Sequence, residues 1–431
     1  MEFISMILLF IFFAINIPVA FSIAISALVY FFLGQIIGGG PSLSIFIQKM
    51  VSPTHSFPLL AVPFFIISGT IMNYGGITRR LMGLADALTG HMVGGLAQVN
   101  VVLSTLMGGL SGSANADAAM ESKILVPEMI KRGYDADFSA VITACSSVIT
   151  PIIPPGIGLI LYGVLANQSI GKLFIGGILP GILLCFALMF VVDRISRKRN
   201  YKSSRNRRAT RSELWSAFKE SLWALMIPVG IIGGIRFGVI TPTEAGAMAA
   251  SYSFIVGFFA YKDLKIKDIP SIVLESVLST AIVMLIICAS SAFGYYIAWE
   301  RIPMQIADAM TSFTQNPYVM LILINILLII VGMFIEGTAA LILLTPILVP
   351  VANACGIDLI HFGIIMVLNL TLAGVTPPVG TIMYATCSMI GVPVSRFSKE
   401  VIPFLIAMFG VVFLLTYVPF IVTFLPDLLM K

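Results

Sequence analysis

The sequence predicts an all-α polytopic membrane protein, built as an inverted-topology repeat of about ten crossings and two re-entrant helical hairpins. Three observations predict it. Only 10% of the residues are charged and 58% are hydrophobic, with a mean hydropathy of +1.04, whereas a soluble domain carries about 25% charged residues. Two short stretches of small residues, GGLSGSANAD at 108–117 and GMFIEGTAA at 332–340, interrupt long apolar runs. Glycine, proline and aspartate landmarks along the chain recur at a fixed offset of 223 residues.

Taken in order, apolar runs cover residues 3–16, 19–34 and 58–78, then 95–131 around the first small stretch. Next come 138–167, interrupted by Pro151 and Pro154-Pro155-Gly156, and 171–193. A basic linker follows, with nine Lys and Arg from Arg194 to Arg211. Beyond it lie 221–240, 243–261, 268–298, 318–352 around the second small stretch, 359–391 interrupted by Pro377-Pro378, and 401–425. A crossing helix needs roughly 20 apolar residues. Irregular backbone at membrane depth is tolerated only where it is buried in protein or lines a watery cavity. Residues 95–131 and 318–352 therefore read as hairpins that enter and return on one side, and 138–167 and 359–391 as broken helices.

The repeat sets the topology. At the offset of 223, Gly109 matches Gly332, Pro127 matches Pro350, Asp135 matches Asp358, and Pro154-Pro155 matches Pro377-Pro378. Slightly shifted, Ala85-Asp86-Ala87 recurs as Ala307-Asp308-Ala309, and the Asn16-Ile17-Pro18 corner falls opposite Ile240-Thr241-Pro242. Residues 1–193 then form one repeat, 194–220 a basic linker with an amphipathic segment, and 221–431 the second repeat. Five crossings and a hairpin per half turn the second half upside down. Positive charge concentrates on the cytoplasmic side. With the linker placed there, 19 of the 25 Lys and Arg fall in the five segments the repeat predicts to be cytoplasmic. Both termini come out periplasmic.

Two hairpins and two broken helices in register are the layout of a secondary transporter, in which half-helix ends and freed carbonyls hold ions and substrate. Hard cations take oxygen ligands, and sodium needs no cage of carboxylates. One cation site is expected at Ser111, Ser113, Asp117, Ser146 and the carbonyls near Pro151, a second at Gly337, Thr338, Gly374, Thr376 and the carbonyls before Pro378. Asn115, Ser147, Thr150 and Glu336 are the expected substrate contacts. The alternative is that these small residues only let helices pack closely. Two partners are open to Asp117: Lys123, or the amides of the tip. Glu121, like Asp117, is an acid at membrane depth and so a functional candidate by default. Glu336 is expected to cap the second tip and Glu244 the helix after Pro242, where a carboxylate suits the dipole. Asp86 and Asp308 read as solvated. The five cysteines and three histidines show no metal-ligand spacing; the cysteines read as core and the histidines as capping or solvated. No nucleotide-binding or zinc-protease motif is present, no catalytic dyad is placed at membrane depth, and no cofactor or nucleic-acid partner is expected.

GSANADAA, PIIPPGI followed by LFIGGILPGILL, FGVITPTEAGA, GMFIEGTAALILLTPILVPV and GVTPPVG together resemble the large membrane subunit of TRAP transporters, the tripartite ATP-independent periplasmic transporters of bacteria and archaea. The resemblance runs over essentially the whole chain. It implies sodium-driven uptake of a small organic acid across the bacterial inner membrane by an elevator-type transporter. It also implies a periplasmic binding protein and a small four-helix membrane subunit, here expected as a separate chain. Relatives commonly carry Ser where this chain has Gly156. A stand-alone sodium/carboxylate symporter of the same superfold, and an intramembrane enzyme, are the rival classes.

Overall fold

The computed structural model describes residues 4–15, 17–37, 40–314 and 316–430. Phe3 of the first run, Asn16 of the expected corner and Lys431 lie outside them. The described residues form α-helices joined by short 3-10 and π turns, with no strand among them. In the first half these are α1 (Ile4–Ala14), α2 (Val19–Ile37), α3 (Leu43–Val51), α4 (Ala61–Tyr74), α5 (Ile77–Thr89), α6 (Gly95–Gly108), α7 (Ala114–Lys131), α8 (Ala136–Ser146), α9 (Ile157–Leu165) and α10 (Ile170–Arg199). In the second they are α11 (Arg211–Arg236), α12 (Pro242–Ile255), α13 (Ile269–Trp299), α14 (Ile302–Phe313), α15 (Pro317–Phe334), α16 (Gly337–Ala354), α17 (Leu359–Ala373), α18 (Thr381–Ile390), α19 (Val394–Glu400), α20 (Ile402–Tyr417) and α21 (Phe420–Leu429).

Local chemistry explains most boundaries. Side-chain oxygens take up amides the first turn leaves without helical partners. Ser113 caps α7, Thr210 with Glu213 forms a capping box on α11, and Thr241 with Glu244 forms another on α12 behind Pro242. Asp358 caps α17 by accepting from the His361 amide at 2.8 Å. Gly133 and Gly356, equivalent under the 223-residue shift, end α7 and α16 in the left-handed conformation, which glycine adopts without steric cost.

Among the described residues seven helical stretches are long and apolar enough to cross a membrane, or eight if the bent pair α19 and α20 counts as one. The difference from about ten crossings has physical causes. The two proline-broken crossings are each divided into shorter helices. α1 stops short of Pro18, the expected 243–261 crossing passes from α12 into a π turn at Val256, and the expected 401–425 crossing divides at Val418-Pro419 into α20 and α21. Conversely, α15 and α16 have 18 residues each, about 27 Å at 1.5 Å per residue, so each hairpin arm nearly spans the bilayer. A deep hairpin and two crossings return the chain to the same side, so the parity is unaffected.

The basic linker is shorter than expected. α10 continues through Arg199 and α11 begins at Arg211, which leaves 200–210 as the irregular part. It is pinned to its surroundings: Arg205 pairs with Asp86 at 2.7 Å, and Ser204 donates to the same carboxylate at 2.7 Å. Arg199 bridges Asp135 and Glu400. Asp86 is therefore a docking point rather than a solvated face residue; it lies on α5, whose partner segment in the second half is α14.

Packing forms two groups. α2, α3 and α4 pack with α11, α12 and α13, while α6 to α9 pack with α15 to α18, and α10, α20 and α21 flank that second group. The second group is interlocked across the halves: α7 packs on α18, and α16 packs on α9. Helices equivalent under the offset thus make equivalent contacts, which brings the two hairpins and the two broken helices to one place.

Candidate functional site

Each hairpin tip is fastened to the break of its own half. In the first tip Gly112 has φ +59°, and its carbonyl accepts from the Ile157 amide at 3.3 Å. A Cβ at this position would sit 2.4 Å from the Pro155 carbonyl oxygen, so the close approach requires glycine. In the second tip the Met333 carbonyl accepts from the Gly380 amide at 3.0 Å. Ile157 and Gly380 are equivalent under the 223-residue shift: both tips are held by the first residue beyond the broken turn. The bonds Pro154–Pro155 and Pro377–Pro378 are both cis.

Between the tips lies a cavity of about 700 Å³. One wall is Ser111 to Ala116 of the first tip and Glu336 to Ala339 of the second, with Pro151 and Gly374 from the breaks. The facing wall belongs to α2, α4 and α13 and includes Thr70, Asn73, Glu275 and Ser279. The first turns of α7 and α16 both line it, so two positive helix ends meet there. Among the described residues no Lys, Arg or His lines the cavity, and the charged side chains that line it are Glu275 and Glu336. Glu336 accepts from the Ala339 amide and from the Thr338 hydroxyl, each at 2.9 Å. Ser113 accepts from the Ala116 amide at 3.4 Å. The Ser111 hydroxyl is buried without a hydrogen-bond partner among the described residues.

Of the expected cation ligands, Ser111, Ser113, Pro151, Gly337, Thr338 and Gly374 line the cavity, as do Asn115 and Glu336 of the expected substrate contacts. Asp117, Ser146, Ser147, Thr150, Thr376 and Pro378 lie behind this wall rather than on it. Asp117 is 1% exposed and accepts from Thr150 Oγ1 at 2.8 Å, not from Lys123. Lys123 is six residues on, about 240° round the helix, and is exposed. The Ser147 and Thr376 hydroxyls donate back to the carbonyls of Ala144 at 2.8 Å and Leu372 at 2.9 Å.

Ser146 belongs to a buried polar tie. Its hydroxyl donates to Asn100 Oδ1 at 2.7 Å, and Asn100 Nδ2 donates to Thr143 at 2.8 Å. Glu121 is fully buried beside them and accepts from Ser104 at 3.0 Å. The second half has a neutral counterpart. Asn369, equivalent to Ser146, donates to Asn325 Oδ1 at 2.8 Å, and Asn325 donates to Thr416 at 2.9 Å. Buried polar groups must be paired, so these ties lock the first arm of each hairpin to its broken helix. The spacing of Asp117 and Glu121, one turn apart on α7, was the available signal for the first. His361 is a correction of another kind: it is 1% exposed, with Nε2 at 2.8 Å from the Leu415 carbonyl, and neither solvated nor a cap. Among the described residues no group of His, Cys, Asp and Glu is arranged to hold a metal.

Residues 6–421 match the family described as the DctM component of the tripartite ATP-independent periplasmic transporters. Among curated relatives, the sialic acid TRAP transporter permease protein SiaT of Haemophilus influenzae is 42% identical over 96% of this chain and 66% of its own length. The large permease protein SiaM of the sialic acid TRAP transporter of Vibrio cholerae is 40% identical over 95% of each chain. The chain thus spans just under two thirds of the first relative and nearly all of the second. Among solved structures, the Alcanivorax borkumensis YdaH transporter superposes with a TM-score of 0.66 at 11% identity, over 96% of this chain and 98% of that one; that likeness concerns the fold alone.

Proposed function

This chain belongs to the DctM family of tripartite ATP-independent periplasmic transporters, and from that premise we propose that it is the large permease of a sodium-driven importer of a small organic acid. The observation that carries the proposal is the cavity where both hairpin tips and both helix breaks meet. An anionic substrate there faces two helix N-termini and no basic side chain, so bound cations must supply much of its countercharge. The hydroxyls and backbone oxygens of Ser111, Ser113, Gly337, Thr338 and Gly374 are the ligands proposed for sodium, with Asn115 on the substrate. Asp117 acts from behind the wall by holding the first turn of α7 against the break at Thr150, and Ser146 by holding the first hairpin arm to its broken helix. Two relatives are named for sialic acid, which supports a sugar acid as readily as a C4-dicarboxylate.

The interlocked second group of helices is the unit proposed to move, elevator-fashion, against the group that contains α2, α4 and α13. The offset contacts support an inverted repeat; in this reading it lies in the bacterial inner membrane with both termini periplasmic. A periplasmic binding protein delivers substrate in this reading, and a small membrane subunit accompanies the permease. The topology has a direct check. Cysteines at Gln48 and Arg208, both exposed, should label from opposite sides of the membrane; labelling of both from the periplasm would remove the topology.

Transport itself is tested in proteoliposomes that hold the permease, its membrane partner and the cognate binding protein. Organic-acid uptake should require an inward sodium gradient and all three components. Full uptake driven by a proton gradient alone would defeat the coupling, and full uptake without the binding protein would favour a stand-alone symporter.

A further inference from the structure

One helix carries an exposed face that does not line the cavity. Arg211, Trp215, Lys219, Leu222, Met226 and Val229 follow one another along α11 at three- and four-residue steps, so they share a face. All of them are exposed, Trp215 by 58% and Val229 by 62%, while Ala224, Ile227 and Ile231 on the opposite side are buried. The face is graded along its length: cationic at Arg211, mixed at Trp215 and Lys219, and apolar from Leu222 onward. Lys219 Nζ stands 5.5 Å from the centre of the Trp215 ring.

Depth and charge agree on what meets it. From Trp215 to Arg236 is about 32 Å at 1.5 Å per residue, close to the ~30 Å hydrocarbon core. Trp favours the interface, which puts Arg211 and the preceding Arg208 in the headgroup layer. Both are exposed, and among the described residues neither has an ion-pair partner. Their neighbour Arg207 is already engaged by Glu213 at 2.9 Å. Glu213 and Glu220 lie on the far side of α11, so no carboxylate competes on this face.

We propose that Arg208, Arg211, Trp215 and Lys219 form a binding site for the phosphate headgroup of an anionic phospholipid in the cytoplasmic leaflet. The cations take the phosphate, the indole sits at the ester level, and the acyl chains run along Leu222, Met226 and Val229. Each near-surface cation adds about fivefold to the affinity for an anionic leaflet. Zwitterionic lipid, whose own ammonium opposes these cations, is discriminated against.

The chain has three tryptophans, so the full chain with Trp223→Phe and Trp299→Phe reports from Trp215 alone. In phosphatidylcholine nanodiscs, 20 mol% of a shallow-brominated phosphatidylglycerol is expected to quench Trp215 at least twofold more than the same fraction of brominated phosphatidylcholine. Adding Arg208→Gln and Arg211→Gln should make the two lipids equal, and 10 mM inorganic phosphate should leave the excess unchanged. Equal quenching in the parent overturns the site, as does loss of the excess to phosphate, which marks a free-anion site. Absence of quenching by either lipid means that protein covers the face and overturns it too. As a second measurement that needs no tryptophan replacement, the otherwise unaltered chain should retain more phosphatidylglycerol by intact mass than its Arg208→Gln, Arg211→Gln variant; equal retention overturns the proposal.

Discussion

Replacing Gly112 by valine is expected to reduce uptake to background while the protein still folds and inserts. Two effects combine at this position. The backbone has φ +59°, which costs an L-residue roughly 1–2 kcal/mol and a β-branched one more. The new Cβ would also sit 2.4 Å from the Pro155 carbonyl oxygen, and a backbone atom inside a proline turn cannot swing aside as a flexible side chain does. The tip must lift, the Gly112–Ile157 backbone bond is lost, and the wall of the cavity opens. Gly133→Ala is the control. That residue has φ +86° with nothing within 4 Å of a built Cβ, so it carries backbone strain without a clash. It should cost about 1–2 kcal/mol of stability and leave most of the uptake. Detergent-solubilised melting and proteoliposome uptake, measured on both variants, separate the two effects. Parent-like uptake by Gly112→Val would show that the tip need not rest on the Pro155 turn.

The same residues show what a sequence can and cannot reveal about such a site. The paired prolines and the cap Glu336 are legible because each acts on its own backbone, through a missing amide or a free first-turn N–H, whereas Ser113 read as an ion ligand and proves to cap α7. The tip ends sooner than its composition suggests, because Asn115 and Asp117 fit the first turn of a helix as well as they fit a turn. The pairing of Asp117 with Thr150 instead of Lys123 depends on which face of α7 meets the neighbouring segment. Nothing local to α7 states that. Asn100, Ser104 and Thr143 escaped for the same reason: each is a small polar residue whose meaning comes from a partner on another helix. His361 read as a segment-end residue because α17 begins there, but its ring is buried against α20, a contact made 54 residues away. Repetition helped most where it was most abstract. The offset pairs Ile157 with Gly380, and these are the two residues whose amides hold the tips.

The carboxylate of Glu336 is expected to set the sodium dependence of uptake. It is the one acid on the tip wall of the cavity, and its neighbours there are Gly337 and Thr338. Its two oxygens accept separately, one from the Ala339 amide and one from the Thr338 hydroxyl; a glutamine oxygen can keep the first bond, and its Nε2 can donate to the Thr338 hydroxyl oxygen in place of the second. Glu336→Gln therefore preserves the cap while it removes a negative charge beside the proposed cation. Hydrogen-bond-like contacts to a charged group are worth about 1.5–3 kcal/mol, and 1.4 kcal/mol is a factor of ten, so the sodium concentration for half-maximal uptake should rise about tenfold to a hundredfold. Saturating sodium should restore much of the maximal rate. Glu275, on the facing α13 wall, supplies the comparison: Glu275→Gln alters the same cavity's net charge by the same amount but stands apart from the tip oxygens. It is expected to move the sodium midpoint far less. A long-range field effect would shift both variants alike. If Glu336→Gln keeps the parent's sodium midpoint, the residue is only the cap of α16, and the cation is held by neutral oxygens alone.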